Sequence, residues 1–142
     1  MAGENIYDLE ERTFIFAKNV REFVRKLPKT VANLEDGKQL IRSSGSVAAN
    51  YIEANEALSE KDFVHRIKIC RKEAKESRLW LRLVYVGDDQ SLESERAALA
   101  KEAFELTRIF GAIFHDKEGT RINGRKSGGN ADAGESVEPT SL

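Results

Sequence analysis

Cysteine occurs once, at Cys70, and histidine twice, at His65 and His115, in a chain of 142 residues. One thiol excludes an internal disulfide and a cysteine-based zinc site, and two imidazoles leave almost no material for a histidine-rich metal centre. No stretch approaches the roughly 18 apolar residues that a membrane span needs, and Met1 to Asn5 show no hydrophobic leader, so a cytoplasmic protein is expected. No Gly-x-x-x-x-Gly-Lys phosphate loop is present. Charge of one sign is missing too. Lys and Arg number 23 against 24 Asp and Glu, so a nucleic-acid or membrane role would have to come from local segregation of charge.

What is present is helix-forming material. Two prolines, 33% charged residues and 40% hydrophobic ones suit a helix-rich globular chain whose length allows one domain. Four segments of helical period can be read. The first runs from about Asp8, a candidate cap with Glu11 three residues on, to Leu27 before Pro28. Its apolar stripe is Leu9, Thr13, Phe16, Val20, Phe23 and Leu27, widened by Ile15 and Val24. The second, from about Thr30 to Leu58, carries Leu34, Ile41, Ala48, Tyr51, Ile52 and Leu58 around a small-residue centre, Ser43 to Ala49. That centre lets another helix approach closely. Gly45 there costs roughly 1 kcal/mol relative to Ala, so either packing compensates for it or the helix breaks.

The third segment starts at the Ser59-Glu60-Lys61-Asp62 box and runs to about Val86, with the heptad positions Phe63, Ile67, Cys70, Ala74, Ser77, Leu81 and Val84. The fourth, about Asp89 to His115, repeats the spacing with Leu92, Arg96, Leu99, Ala103, Leu106, Phe110 and Ile113. Short connections force neighbours antiparallel. The expected fold is therefore all-α, an up-down-up-down four-helix bundle over 7–118, followed at 119–142 by a Gly- and Ser-rich tail expected to be disordered.

The near-neutral total hides two opposed helices. Residues 59–86 hold eight basic and four acidic side chains, a net +4, whereas 88–118 hold four basic and eight acidic, a net −4. Lys68, Arg71, Lys75, Arg78 and Arg82 each follow a core position, forming one basic ridge in which neighbours repel by about 0.2 to 0.5 kcal/mol per pair. Either Glu95, Glu102 and Glu105, or another subunit, neutralise the ridge, or it engages phosphates as a nucleic-acid-binding surface. No aromatic side chain interleaves with it along the helix to stack bases. On the other flank Ile69, Trp80 and Leu83, with Phe14 and Tyr85, are either an oligomer interface or a wider core contact.

Residues that could carry catalysis are few. Cys70 falls on the core stripe and reads as an inert small hydrophobe. Glu53, Glu56, Asp62 and His65 form the one acidic group with a histidine, but a di-iron bundle needs Glu-x-x-His from two helices, so no metal or other cofactor is expected. Asn50 and Glu53 read as structural groups paired across helices or capping a turn.

The run Arg42-Ser43-Ser44-Gly45-Ser46-Val47-Ala48-Ala49-Asn50-Tyr51-Ile52-Glu53-Ala54, followed by the basic helix Phe63 to Ser77, resembles the bacterial four-helix-bundle proteins called 23S rRNA intervening-sequence proteins, over about residues 7 to 115. Ser43, Ser46, Asn50 and Glu53 carry its Arg-Ser-x-x-Ser-Val-x-x-Asn-x-x-Glu pattern. The resemblance implies a homopentamer of bundles. Its relative in diversity-generating retroelements, the accessory variability determinant, is implied to bind a reverse transcriptase and nucleic acid through a basic surface. The chain is thus expected to be a non-enzymatic, self-assembling scaffold whose partners are itself and RNA or a nucleic-acid-processing protein, with no membrane and no small-molecule substrate. The rival is a structural or protein-binding oligomer without a nucleic-acid ligand.

Overall fold

Residues 8–125 are described by a computed structural model. Helix α1 spans Leu9–Arg25, α2 Val31–Asn55, α3 Glu60–Leu83 and α4 Gln90–Arg125. Two N-termini close on hydroxyls: Thr30 accepts from the Asn33 amide and Ser59 from the Asp62 amide, each at 3.0 Å. Asp89 does the same for Leu92 at 3.1 Å. The expected cap at Asp8 is not made. Its ψ of 35° departs from the 162° and 161° of Thr30 and Ser59, the extended backbone that aims a side chain back at the first turn. Helix α2 continues unbroken through Gly45. A Cβ there would meet the Arg21 guanidinium at 3.1 Å, so the missing side chain is where Arg21 lies across α2. Gly87, at φ 70°, turns the chain between α3 and α4.

Helix α4 extends seven residues beyond Glu118, where the bundle was expected to end. Propagating a formed helix adds one hydrogen bond per residue fixed, so Gly119 and Gly124 slow it at about 1 kcal/mol each without stopping it. The rest of the expected tail, 126–142, lies outside the described residues.

Cross-helix contacts set the topology. Arg21 and Val24 of α1 meet Gly45 and Gly37 of α2. Ser43, Val47 and Asn50 of α2 meet Ser77, Cys70 and Arg66 of α3. Glu60, Arg71 and Arg78 of α3 meet Lys117, Gly111 and Phe104 of α4, and Arg12 and Lys26 of α1 meet Glu102 and Glu95. In every pair one number rises as the other falls, so neighbours are antiparallel and α4 closes the ring on α1. This is the four-helix bundle the periodicity predicts.

The core follows three of the four expected stripes. All six stripe residues of α1 are buried, as are Ile67, Cys70, Ala74, Ser77, Leu81 and Val84 in the third segment and Leu92, Leu99, Ala103, Leu106 and Phe110 in α4. Helix α2 departs. Leu34, Ile52 and Leu58 are exposed, at 51%, 46% and 97%. The buried face is Asn33, Gly37, Leu40, Ser43, Ser44, Val47 and Ala54. Small side chains face inward here because the backbones of α2 and its neighbours come close, and the larger residues are left to the flanks. Ile15 of α1, expected to widen the core, is 44% exposed.

Polar residues in this face are paired, as burial requires. Ser43 and Ser77 share a hydrogen bond of 2.8 Å between hydroxyls, and Ser77 donates to the Glu73 carbonyl. Asn33 ties two turns together. Its amide nitrogen donates to the carbonyls of Pro28 and Tyr85, and its oxygen accepts from the Tyr85 amide. Arg96, which interrupts the α4 stripe, donates to the carbonyls of Leu81, Arg82 and Val84 at the end of α3, where a cation also suits the helix dipole. Replacing Asn33 with Ala would strand both polar groups of Tyr85. Urea denaturation should show a loss of about 2 to 3 kcal/mol for N33A, and a loss below about 0.5 kcal/mol would show that the Asn33 bridge contributes little.

Candidate nucleic-acid interface

The five ridge residues lie on the flank of α3 that faces α4. Lys68, Lys75 and Arg82 are exposed, and Arg71 and Arg78 half-buried. Three of them meet aromatic rings. The Lys68 ammonium and the Arg71 guanidinium stand 5.3 and 5.8 Å from the centre of the Phe114 ring, and Arg78 and Arg108 stand 5.3 and 6.0 Å from that of Phe104. The ridge's own helix supplies neither ring; both come from the neighbouring α4. Arg71 also lies over Gly111, whose Cβ would be 3.2 Å from its Nε.

The acidic residues expected to neutralise the ridge turn the other way. Glu102 holds Arg12 of α1 in a two-pronged pair, at 2.7 and 2.9 Å, and Glu95 pairs with Lys26 at 2.6 Å. Donating to the Glu102 carboxylate raises the Arg12 guanidinium above its usual pKa against the opposing effect of burial, with further help from the charges of Glu102 and Glu105. Among the described residues, no carboxylate forms an ion pair with Arg71, Lys75, Arg78 or Arg82. The basic row and the acidic row therefore occupy opposite flanks of α4.

The other flank of α3 meets α2 through a polar ladder. Asn50 accepts from Arg66 at 2.8 Å and donates to the Ser46 carbonyl and hydroxyl. Arg42 spans Glu73 and Glu76 at 3.3 and 3.4 Å. Ser43, Ser46 and Asn50 thus sit on the α2–α3 seam, whereas Glu53 is exposed beyond it. Of the expected interface residues, Trp80 packs against the core and Ile69 is half-buried. Leu83 is exposed, as are Leu79 and Tyr85 nearby in sequence.

Glu53, Glu56, Asp62 and His65 do line one depression, of about 260 Å³, together with Arg66. Among the described residues, however, no three His, Cys, Asp or Glu side chains converge closely enough to hold a metal ion. Cys70 is fully buried and donates to the Val47 carbonyl at 3.6 Å. Burial pushes its thiol up to about 12, so it offers no thiolate near neutrality.

A sequence profile of the 23S rRNA-intervening sequence protein family matches residues 7–111. The chain belongs to this family. No curated protein matches it. Among solved structures, a protein of unknown function from the S23 ribosomal protein family of Bacteroides thetaiotaomicron is similar, with 25% identity and a TM-score of 0.62. The match covers 74% of this chain and 96% of that one. The matched span takes in the whole of α1, α2 and α3, and in this chain the α2–α3 seam leaves the basic row on the side away from it. Among the described residues no helix is long and apolar enough to cross a membrane.

The Cys70 thiol carries a pH dependence of known sign. Its folded pKa lies above the ordinary 9.0, so above that value the unfolded chain binds fewer protons than the folded one and stability falls with rising pH. Denaturation followed between pH 8 and 11 should show a decline that is shallower in C70A, the half-buried Tyr51 phenol, raised by the same desolvation, supplying part of the rest. An identical decline in C70A would assign it to other groups.

Proposed function

We propose that this protein is a non-enzymatic helical-bundle scaffold of the cytoplasm that assembles with copies of itself and holds RNA by its phosphates along Lys68, Arg71, Lys75, Arg78 and Arg82. The observation that carries this reading is the row itself. Four of its five cations lack a carboxylate partner among the described residues, while Glu95 and Glu102 of the neighbouring acidic helix pair with α1. The row spans about 21 Å at 1.5 Å per residue, long enough to follow several phosphates. The family's name refers to 23S rRNA, and the similar solved structure comes from a ribosomal protein family, both in keeping with an RNA partner. The homopentamer implied by the resemblance would repeat the row around an assembly and multiply its avidity. A second reading, a protein-binding oligomer with no nucleic-acid ligand, is favoured by the exposed Leu79, Leu83 and Tyr85.

Backbone binding has a thermodynamic signature. Affinity for RNA, measured by fluorescence anisotropy across a potassium chloride series, should fall linearly on logarithmic axes with a slope of about −0.7 per single-strand phosphate contact. The triple variant Arg71→Gln, Lys75→Gln, Arg82→Gln should flatten that slope by about 2, with its helical content and light-scattering mass unchanged. Failure of the wild-type protein to bind RNA at low salt would overturn the reading, as would an unaltered slope in the variant.

A further inference from the structure

The basic row is not uniform along its length. Near its middle Phe104 of α4 is 37% exposed, and Arg78 and Arg108 approach its ring from α3 and from its own helix. Phe114, the other ring on this face, is 9% exposed and is closed off beneath Lys68 and Arg71. Phe104 is thus the ring of this surface with area to offer. Its neighbours Lys101 and Arg108 are also exposed and stand on the same outward stripe of α4, at spacings of three and four. The stripe faces Arg82, Arg78 and Lys75 in the antiparallel register set by the Arg78–Phe104 contact. An apolar ring ringed by cations gains nothing from a phosphate. It gains from offset stacking against another flat ring, and the guanidinium planes beside it gain from that ring's electron-rich face.

Resting on the RNA-binding reading above, we infer that the surface selects single-stranded RNA, with an unpaired base stacking on the Phe104 ring or on the Arg78 and Arg108 planes while the surrounding cations hold the flanking phosphates. Paired bases are hidden in the stack of an A-form duplex, whose deep major groove side chains cannot read. A duplex can therefore use the cations but not the ring. The combination of a cationic track with an exposed aromatic is the chemistry that holds single strands without reading their sequence. Phe104 then separates the two kinds of RNA, and the remaining charges bind both.

The test compares an unstructured RNA carrying one 2-aminopurine with a blunt duplex of equal phosphate number, for the wild-type protein and F104L. Phe104 contributes little to the core, and thermal melting verifies that F104L stays folded. Wild-type protein should prefer the single strand and quench 2-aminopurine on binding. F104L should lose about tenfold in single-strand affinity with its salt slope and its duplex affinity unchanged. Equal wild-type affinity for the two RNAs, or an F104L variant that keeps both the preference and the quenching, would overturn the stacking inference and leave the phosphate-binding reading standing. Absence of salt-dependent binding to either RNA would remove both.

Discussion

Ser43 and Ser77 meet hydroxyl to hydroxyl at 2.8 Å in the buried seam between α2 and α3, and the close approach that this contact requires determines what else α3 can do. With no bulk between the helices, α2 lies near enough for Val47 to accept from Cys70 and Asn50 from Arg66. Glu73, one turn before Ser77 and only 6% exposed, is carried into the same seam. A buried carboxylate without a partner would cost several kcal/mol, and Arg42 reaches over from α2 to supply one. The α2 flank of α3 is thereby filled by a closed set of hydrogen bonds and ion pairs. Its remaining cations are left to the opposite flank.

On that flank, repulsion must be set against what the cations gain. Four adjacent like-charged pairs at about 0.2 to 0.5 kcal/mol each come to roughly 1 to 2 kcal/mol. Exposed cation–π contacts return about 0.5 to 1 kcal/mol apiece, and Lys68, Arg71 and Arg78 of the row make three with Phe114 and Phe104. The two effects are of similar size, so a folded bundle can keep Arg71, Lys75, Arg78 and Arg82 side by side without carboxylates paired to them. The surface persists as a cationic one, ready for an anionic partner, at no large cost in stability.

Three of the helices were legible because their three-and-four stripes are the faces that are buried, with large apolar residues such as Phe16, Ile67 and Leu106 fully enclosed. In α2 hydropathy and burial separate. Beside Leu40 and Val47 the inward residues include the small Gly37, Ser43, Ser44 and Ala54, while Leu34 and Ile52 face outward. A pattern that weighs side chains by hydropathy follows the wrong face there, although the run from Ser43 to Ala49 had marked the helix as one to be approached closely. Helix α4 runs on past Glu118 to Arg125 because glycine counts against starting a helix more than against continuing one. Asn33 gave no signal at all, because its partners Pro28 and Tyr85 come from two different turns.

The direction of the charges on α4 needed no coordinates, only the handedness of the helix. In a right-handed helix the residue after a core position always leans to one side of the stripe and the residue before it to the other. When neighbours are antiparallel, like sides face each other. The ridge residues Lys68, Arg71, Lys75, Arg78 and Arg82 each follow a core position of α3, so they must face the residues that follow core positions in α4: Phe104 after Ala103, Gly111 after Phe110, Phe114 after Ile113. Those are the contacts observed. Glu102 and Glu105 precede Ala103 and Leu106, and lean toward α1, where Arg12 lies. Opposite net charges on adjacent helices suggested mutual neutralisation, but net charge carries no direction. Once the bundle is antiparallel, the placement of acids before the core positions of α4 and bases after those of α3 keeps the two rows on separate faces.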